Sequence, residues 1–263
     1  MQGLKAPSFA YAKPRTLAEA FDLLERPGAR ILAGGQSLIP SLNLRLSAPE
    51  LLVDITGLAE LRGIALEQDV VRIGALTTHA DIERSAQIRK HLPLLADAVV
   101  HVAHPAIRNR GTFGGSVSLA DPAAEYPACL VALDATIVLR SRANERMVRA
   151  EHFFKGLFEV DLREGELVAG AEIPAFLKGE RSVFLELARR QGDYAIVGLA
   201  GVTSASRKRI AFFGLGAKPV LLQPKSLEEA KASIPAPSAD LYNTAATKLH
   251  LAKVLLDRAW TKL

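Results

Sequence analysis

The chain has 263 residues, which is enough for two or three compact units with buried cores. Its hydrophobic share of 49% and charged share of 23% are those of an ordinary globular protein and argue against a long low-complexity region. The net charge of +5 is spread along the chain, so it gives little support for nucleic-acid binding. No apolar run approaches the roughly 18 residues that span a bilayer, and no signal-peptide pattern opens the chain, which predicts a cytoplasmic protein.

A first unit is predicted over residues 1–56. Its predicted elements are a strand (9–12), a helix capped at Thr16, a strand (30–33) and a strand (51–55). Thr16 and Glu19 have the spacing of a capping box. The second strand runs into Gly34-Gly35, after which Ser37 is placed to cap the next helical turn.

A second unit is predicted over residues 57–176. Its predicted elements are a strand (70–76), a helix cap at Thr78, a helix (93–102), a helix (123–133), a strand (136–140) and a strand (167–173). Residues 108–116 contain too many turn formers to predict regular structure. Asp121-Pro122 has the pattern of a helix cap followed by proline at the first helical position. Cys129, the single cysteine, lies in an apolar run and is expected in the core.

A third unit is predicted over residues 177–263. Its predicted elements are strands (183–188, 195–202 and 210–215), a helix capped at Ser226, and a C-terminal helix (239–260). The three strands are expected to form an antiparallel sheet. The overall class is therefore α+β in three parts.

Two glycine pairs, Gly34-Gly35 and Gly114-Gly115, are the candidate binding segments. A glycine pair lets a ligand approach the main chain, and the N–H groups and hydroxyls beside it can donate to an anion. A tight turn is the alternative interpretation of each pair. For the second pair, Thr112 and Ser116 add donors, and Arg108 lies upstream with its positive charge. A branched side chain at Gly34 or Gly114 is thus expected to abolish ligand binding while the chain stays folded.

Other site signals are weak. Gly214-Leu215-Gly216 lacks the third glycine and the helix of a Rossmann dinucleotide site. His101 and His104 are three residues apart without a nearby carboxylate partner, so capping or packing is favoured over metal binding. Tyr194 follows a charged turn at the mouth of a strand, where it could be a core residue or part of a functional loop.

Four segments together resemble the FAD-binding medium subunit of molybdenum hydroxylases, the group that includes aerobic carbon monoxide dehydrogenase and the flavin domain of xanthine dehydrogenase. The segments are Leu32-Ala33-Gly34-Gly35-Gln36-Ser37-Leu38-Ile39-Pro40, Ile107-Arg108-Asn109-Arg110-Gly111-Thr112-Phe113-Gly114-Gly115-Ser116, Ala120-Asp121-Pro122-Ala123-Ala124-Glu125 and Ala188-Arg189-Arg190-Gln191-Gly192-Asp193-Tyr194-Ala195. The resemblance covers nearly the whole chain. It implies a vanillyl-alcohol-oxidase/PCMH-type FAD-binding domain of two α/β subdomains, followed by a C-terminal α+β domain like that of the carbon monoxide dehydrogenase flavoprotein.

The resemblance also implies roles for particular residues. Ala33, Gly34, Gly35, Gln36, Ser37 and Leu38 would wrap the FAD pyrophosphate; Val102, Ala103 and His104 would approach the adenine; Gly111, Thr112, Gly114, Gly115 and Ser116 would line the other wall; Glu125 would bind the hydroxylated chain; Val168 would add a contact; and Tyr194 would cover the isoalloxazine ring. Two departures from the family pattern are Tyr126, where leucine is usual, and Ser118-Leu119.

The implied function is electron relay within a complex. The resemblance implies [2Fe-2S] clusters and molybdopterin, carried by small and large partner subunits in a dimer of heterotrimers. An iron–sulfur cluster needs about four thiolate ligands, and this chain has one cysteine, so the clusters are not expected in this chain. No metal site is expected in this chain. Two alternatives stay open: a self-contained FAD-dependent oxidase or reductase, and a non-catalytic nucleotide-binding module.

Overall fold

The computed structural model describes residues 6–205 and 207–263, so the first five residues of the unit predicted over 1–56 lie outside it. The strands are β1 (Ala10–Ala12), β2 (Ala29–Leu32), β3 (Leu51–Asp54), β4 (Ile64–Glu67), β5 (Val70–Gly74), β6 (Thr136–Arg140), β7 (Glu145–Arg149), β8 (Phe154–Gly156), β9 (Glu159–Val160), β10 (Leu167–Pro174), β11 (Arg181–Leu187), β12 (Val197–Thr203), β13 (Lys208–Phe213) and β14 (Val220–Leu222).

The helices are α1 (Leu17–Leu24), α2 (Leu38–Asn43), α3 (His79–Arg84), α4 (Ala86–His91), α5 (Pro93–Val99), α6 (Pro105–Arg108), α7 (Phe113–Leu119), α8 (Glu125–Ala132), α9 (Ala150–Phe153), α10 (Leu227–Ala232) and α11 (Ala245–Trp260), with 3-10 turns at Ile55–Gly57 and Ala59–Leu61. Six of the helices, α3 to α8, follow one another between β5 and β6. Among the described residues, no helix is both long and apolar enough to cross a membrane.

The first sheet is small and parallel, in the order β1-β3-β2. Its helix α1 begins as predicted, because the Thr16 side chain accepts from the Glu19 N–H. The Glu19 carboxylate accepts from the Arg15 N–H, 2.7 Å away, so the reciprocal bond of the predicted capping box is displaced by one residue. The helix buries Ala20 and Phe21 against the sheet.

The second sheet is antiparallel, in the order β4-β5-β10-β6-β7. The predicted cap at Thr78 is confirmed as a full capping box with Asp81. Two predictions are wrong. The segment 108–116 is not irregular, since it includes the end of α6 and the start of α7. Helix α8 begins at Glu125, because Asp121 instead accepts the Ala123 N–H in the preceding turn.

The third sheet has the predicted antiparallel strands and adds β14, in the order β11-β12-β13-β14. The C-terminal helix starts at Ala245, six residues after the predicted start. Asp240 holds the preceding segment in a turn, because its carboxylate accepts the N–H groups of Tyr242 and Asn243.

The hydrophobic cores cross the predicted unit boundaries. Phe184 and Phe213 of the third sheet pack into the core formed by the second sheet and α8, where Cys129 is buried as predicted. Buried Arg209 on β13 donates to the carbonyls of Val131 and Ala132 at the end of α8. The third sheet is thereby joined to the second unit by both apolar packing and hydrogen bonds.

Candidate functional site

The two glycine segments lie directly against each other. A Cβ atom added at Gly34 would overlap the carbonyl oxygen of Arg110 and would stand 2.9 Å from the Cα of Gly111. Glycine at position 34 is therefore required by the contact between the segments. The fold brings together the two stretches that the sequence predicts to share one site.

The first segment leaves a row of backbone donors unpaired. Within the described residues, the N–H groups from Gly34 to Leu38 donate no hydrogen bond. Gly35 has φ +72°, which favours glycine, and the Gln36 side-chain amide donates to the Gly34 carbonyl at 3.0 Å. Ala33 leads into this turn from β2. Unpaired N–H groups in one turn form a concave donor set that suits an anion.

Ser37 does not cap α2 as predicted. Its backbone is near the helical region, with φ −108° and ψ −44°, and its side chain makes no capping bond. A capping residue normally has extended backbone, which aims its side chain at the N–H groups of the first turn. The exposed Ser37 hydroxyl is therefore left for a partner beyond the helix.

The second segment pairs its donors within the protein. The N–H groups of Phe113 and Gly114 bind the carbonyls of Thr77 and Ala75 at 2.9 and 2.8 Å, and those of Gly115 and Ser116 bind the Thr112 hydroxyl and carbonyl. A Cβ at Gly114 would stand 2.5 Å from the Cβ of Ala75. Gly114 is thus glycine because α7 packs against the end of β5, which differs from the predicted reason.

Gly111 is similarly tied to the protein interior. A Cβ at this position would stand 2.7 Å from the imidazole of His79, and the backbone N–H of His79 donates to the Gly111 carbonyl at 3.0 Å. Burial and the charge of Arg108 lower the pKa of His79 to about 4, so its ring is neutral at pH 7. This neutral ring packs on Tyr126, whose side chain is fully buried.

Val102 and Ala103 form a wall beside α6. Ala103 has φ +46°, an uncommon conformation for a residue with a side chain. A Cβ at Gly192 would stand 2.8 Å from both the Ala103 carbonyl and the His104 ring. The loop of residues 189–194 is therefore packed against the segment that the resemblance assigns to the cofactor.

Glu125 and Tyr194 are close enough for the charge of Glu125 to affect the pKa of the Tyr194 hydroxyl. The pKa of Glu125 is raised to about 7. Burial is the largest cause and the charge of Asp121 acts in the same direction, whereas a hydrogen bond from the Glu125 backbone N–H lowers the pKa. Desolvation raises the pKa of the Tyr194 hydroxyl, as do the charges of Asp121 and Glu125. The Tyr194 side chain is nevertheless 74% exposed, and it precedes β12. Tyr194 is therefore not the core residue of the alternative interpretation.

Val168 lies apart from these groups. Its side chain is buried in the core on β10, where the register shifts between Val168 and Gly170. The next carbonyl, that of Ala169, accepts from the Ala75 N–H, and Ala75 in turn accepts from Gly114. A contact between Val168 and a ligand stays a prediction, and the structure supports only a position behind the second segment.

Sequence reasoning missed one group that shapes the site, His79, and gave another, Arg108, the wrong role. His79 supports Gly111, and the buried Arg108 donates to the carbonyls of Val102 and Ala103. The sequence offered the charge of Arg108 as a signal for anion binding, but the guanidinium points into the protein. In the part of the chain that is described, no group of three or more His, Cys, Asp or Glu side chains could hold a metal ion.

Comparison with known proteins gives a consistent result. The family described as "FAD binding domain in molybdopterin dehydrogenase" matches residues 7–176. Subunit alpha of the 6-hydroxypseudooxynicotine dehydrogenase complex of Paenarthrobacter nicotinovorans is 41% identical over 228 residues, which cover 84% of this chain and 77% of that protein. The carbon monoxide dehydrogenase medium chain of Hydrogenophaga pseudoflava is 39% identical over 207 residues, covering 78% and 72%. A solved structure of carbon monoxide dehydrogenase from Hydrogenophaga pseudoflava superposes with a TM-score of 0.91 at 34% identity, covering 98% of this chain and 97% of that one.

Proposed function

We propose that this chain, which belongs to the FAD-binding domain family of molybdopterin dehydrogenases, is the FAD-carrying electron-transfer subunit of a heteromeric molybdenum hydroxylase. The observation that carries the proposal is the row of unpaired N–H groups from Gly34 to Leu38, lying against Arg110 and Gly111. A pyrophosphate satisfies such donors, because it is an anion with several acceptor oxygens.

The residues present fit FAD. The N–H groups of the first segment and the Ser37 hydroxyl would hold the pyrophosphate, with the Ser116 side chain on the opposite wall. Among the described residues, no other side chain binds the nearly buried carboxyl group of Glu125, and this group would accept from the hydroxylated chain of the cofactor. Tyr194 would cover the isoalloxazine ring from its exposed loop. When bound, FAD would supply the capacity to accept and pass on electrons, while the protein positions it.

Partner subunits supply what this chain lacks. With one cysteine, which is buried, the chain cannot ligate an iron–sulfur cluster. We therefore assign the clusters to a small subunit and molybdopterin to a large one, in a cytoplasmic dimer of heterotrimers. The exposed side chains of Leu241 and Tyr242 support a docking surface for these subunits near Tyr194. They lie close to the loop of residues 189–194, because the Arg189 guanidinium lies 4.5 Å over the Tyr242 ring.

Purification of the single chain tests the proposal. It should contain FAD near one per chain, and the flavin should stay oxidised when aldehydes, N-heterocycles or carbon monoxide are added. Reduction should begin only when iron–sulfur and molybdopterin subunits are added. Flavin reduction by a substrate without partners would favour the self-contained oxidase or reductase, and a colourless chain that binds a nucleotide would favour the non-catalytic module.

A further inference from the structure

The Tyr194 loop rests on a main-chain contact with the second unit. At Gly192, φ is +82°, and an added Cβ would stand 2.8 Å from the carbonyl oxygen of Ala103 and from two atoms of the His104 ring. No hydrogen bond from the Tyr194 hydroxyl is found within the described residues, so the ring is oriented by the path of its loop. The contact at Gly192 is therefore the point at which that path is fixed.

The Ala103 carbonyl is itself held from the inside by Arg108. The Arg108 Nη1 atom donates to the carbonyls of Ala103 and Val102, at 3.0 and 3.1 Å. Its Nε atom donates to Glu83 at 2.9 Å, and Nη2 reaches the same carboxylate at 3.4 Å. The side chain is 10% exposed, so this forked arrangement is largely shielded from water.

This clamp explains the unusual backbone of Ala103. A left-handed conformation at a residue with a side chain is unfavourable and persists only where the surroundings impose it. Here the guanidinium binds two successive carbonyls while anchored on Glu83. A lysine has one point charge and no rigid fork, so it cannot reproduce the set of bonds.

We propose that Arg108 is a positioning residue for Tyr194, acting through the Ala103 carbonyl and Gly192. Arg108 fixes the carbonyl, the carbonyl fixes the close approach of Gly192, and Gly192 sets the path of the loop two residues before Tyr194. The inference rests on the proposed function, because it assumes that Tyr194 covers the isoalloxazine ring of bound FAD. It assigns no contact between Arg108 and the cofactor.

Fluorescence of the bound flavin tests the proposal, since an aromatic ring in contact with a flavin quenches its emission. The emission of Tyr194→Ala is the reference value for a flavin ring that no tyrosine covers. Arg108→Lys and Gly192→Ala should each retain FAD and raise the emission above wild type by at least half of the increase that Tyr194→Ala causes. In the double variant Arg108→Lys/Tyr194→Ala, the emission should equal that of Tyr194→Ala alone, because both changes act on one contact.

Controls separate the possible outcomes. Arg84→Lys, at an exposed arginine paired with Asp81, should leave the emission unchanged. If Arg108→Lys fails to fold, Gly192→Ala tests the same contact between Ala103 and the Tyr194 loop, because it changes only the loop side of that contact. A wild-type chain that binds no flavin would overturn the proposed function and this inference together. A flavin-loaded chain in which neither variant raises the emission, or in which the double variant is additive, would overturn this inference alone.

Discussion

Residues 33–38 and residues 111–116 each carry a glycine pair, yet they use it differently. The first segment leaves its N–H donors unpaired, whereas the second binds Ala75, Thr77 and Thr112 with its own. Glycine in the first segment permits the turn at Gly35 and the contact between the segments. Glycine in the second segment permits α7 to lie on Ala75. The same sequence pattern thus serves binding in one place and packing in the other.

The difference teaches that unpaired polar groups mark the binding side of the site. Glu125 belongs with the first segment, because no side chain in residues 6–205 and 207–263 pairs with its buried carboxyl group. Arg209 is paired within the protein like the second segment, because its buried guanidinium donates to carbonyls at the end of α8. We therefore expect substitutions of paired groups to change stability and substitutions of unpaired groups to change FAD affinity. A buried titratable group such as Glu125 in addition makes stability depend on pH.

The largest effect is expected at Gly114. Gly114→Val should lower the free energy of unfolding by about 3 kcal/mol, the upper part of the cost of overpacking a core, because its side chain would collide with Ala75. Urea denaturation of the FAD-free chain measures this change. Gly216→Val is the matched control, since nothing lies within 4 Å of a Cβ there, and Ala75→Gly should partly rescue the variant. Unchanged stability of Gly114→Val would contradict the packing role of the second segment.

A pH-dependent effect is expected at Glu125. Its folded-state pKa of about 7 lies above the unfolded value of 4.5, so the folded chain binds more protons between these values and loses stability as the pH rises. Because glutamine does not titrate, Glu125→Gln should lose roughly 3 kcal/mol less of its free energy of unfolding over this pH range than wild type, as expected from the pKa difference. Urea denaturation of the FAD-free chain at pH 4.5 and pH 8 gives the comparison. Burial also raises the pKa of Glu186, to about 8, so a slope from that group remains in both proteins. The exposed Glu60→Gln is the control, and equal slopes for wild type and Glu125→Gln would refute the assignment.

A hydroxyl in each segment gives a smaller, paired test. Ser37→Ala should leave stability unchanged and weaken FAD binding about tenfold, because a hydrogen bond to a charged group is lost. Thr112→Ala should lower the free energy of unfolding by about 1 kcal/mol, because Thr112 caps α7, and Thr112→Ser should restore it. Isothermal titration and urea denaturation measure the two quantities. If both variants changed the same quantity, the contrast between the segments would be lost.

The smallest effect on affinity is expected at Tyr194. Tyr194→Ala should retain most FAD, because affinity lies mainly in the pyrophosphate contacts, but should change the flavin potential and its rate of reoxidation. Phe158→Ala, at an exposed aromatic residue in the turn between β8 and β9, should change neither. Potentiometric titration and stopped-flow reoxidation provide the readouts. A Tyr194→Ala protein that matches wild type in both would show that Tyr194 does not cover the ring.

The sequence by itself predicted the elements with strong local signals. Capping residues identified the start of α1, and apolar runs identified β3, β6, β10 and the buried Cys129. The combined motifs identified the family and the two segments of the site. These signals are local, because a cap or an apolar run is specified by residues close together in the chain.

Tertiary structure decided the rest. The strands missed from the sequence, β4, β7, β8, β9 and β14, are two to five residues long and lie at sheet edges, so each gives only a short local pattern. Helix α7 contains a glycine pair and forms because Ala75 leaves space for it. Whether an N–H group is free or paired, as at Gly35 and Gly114, depends on which distant carbonyl reaches it. The guanidinium of Arg108 likewise supports the Tyr194 loop only because folding places Ala103 between Arg108 and Gly192.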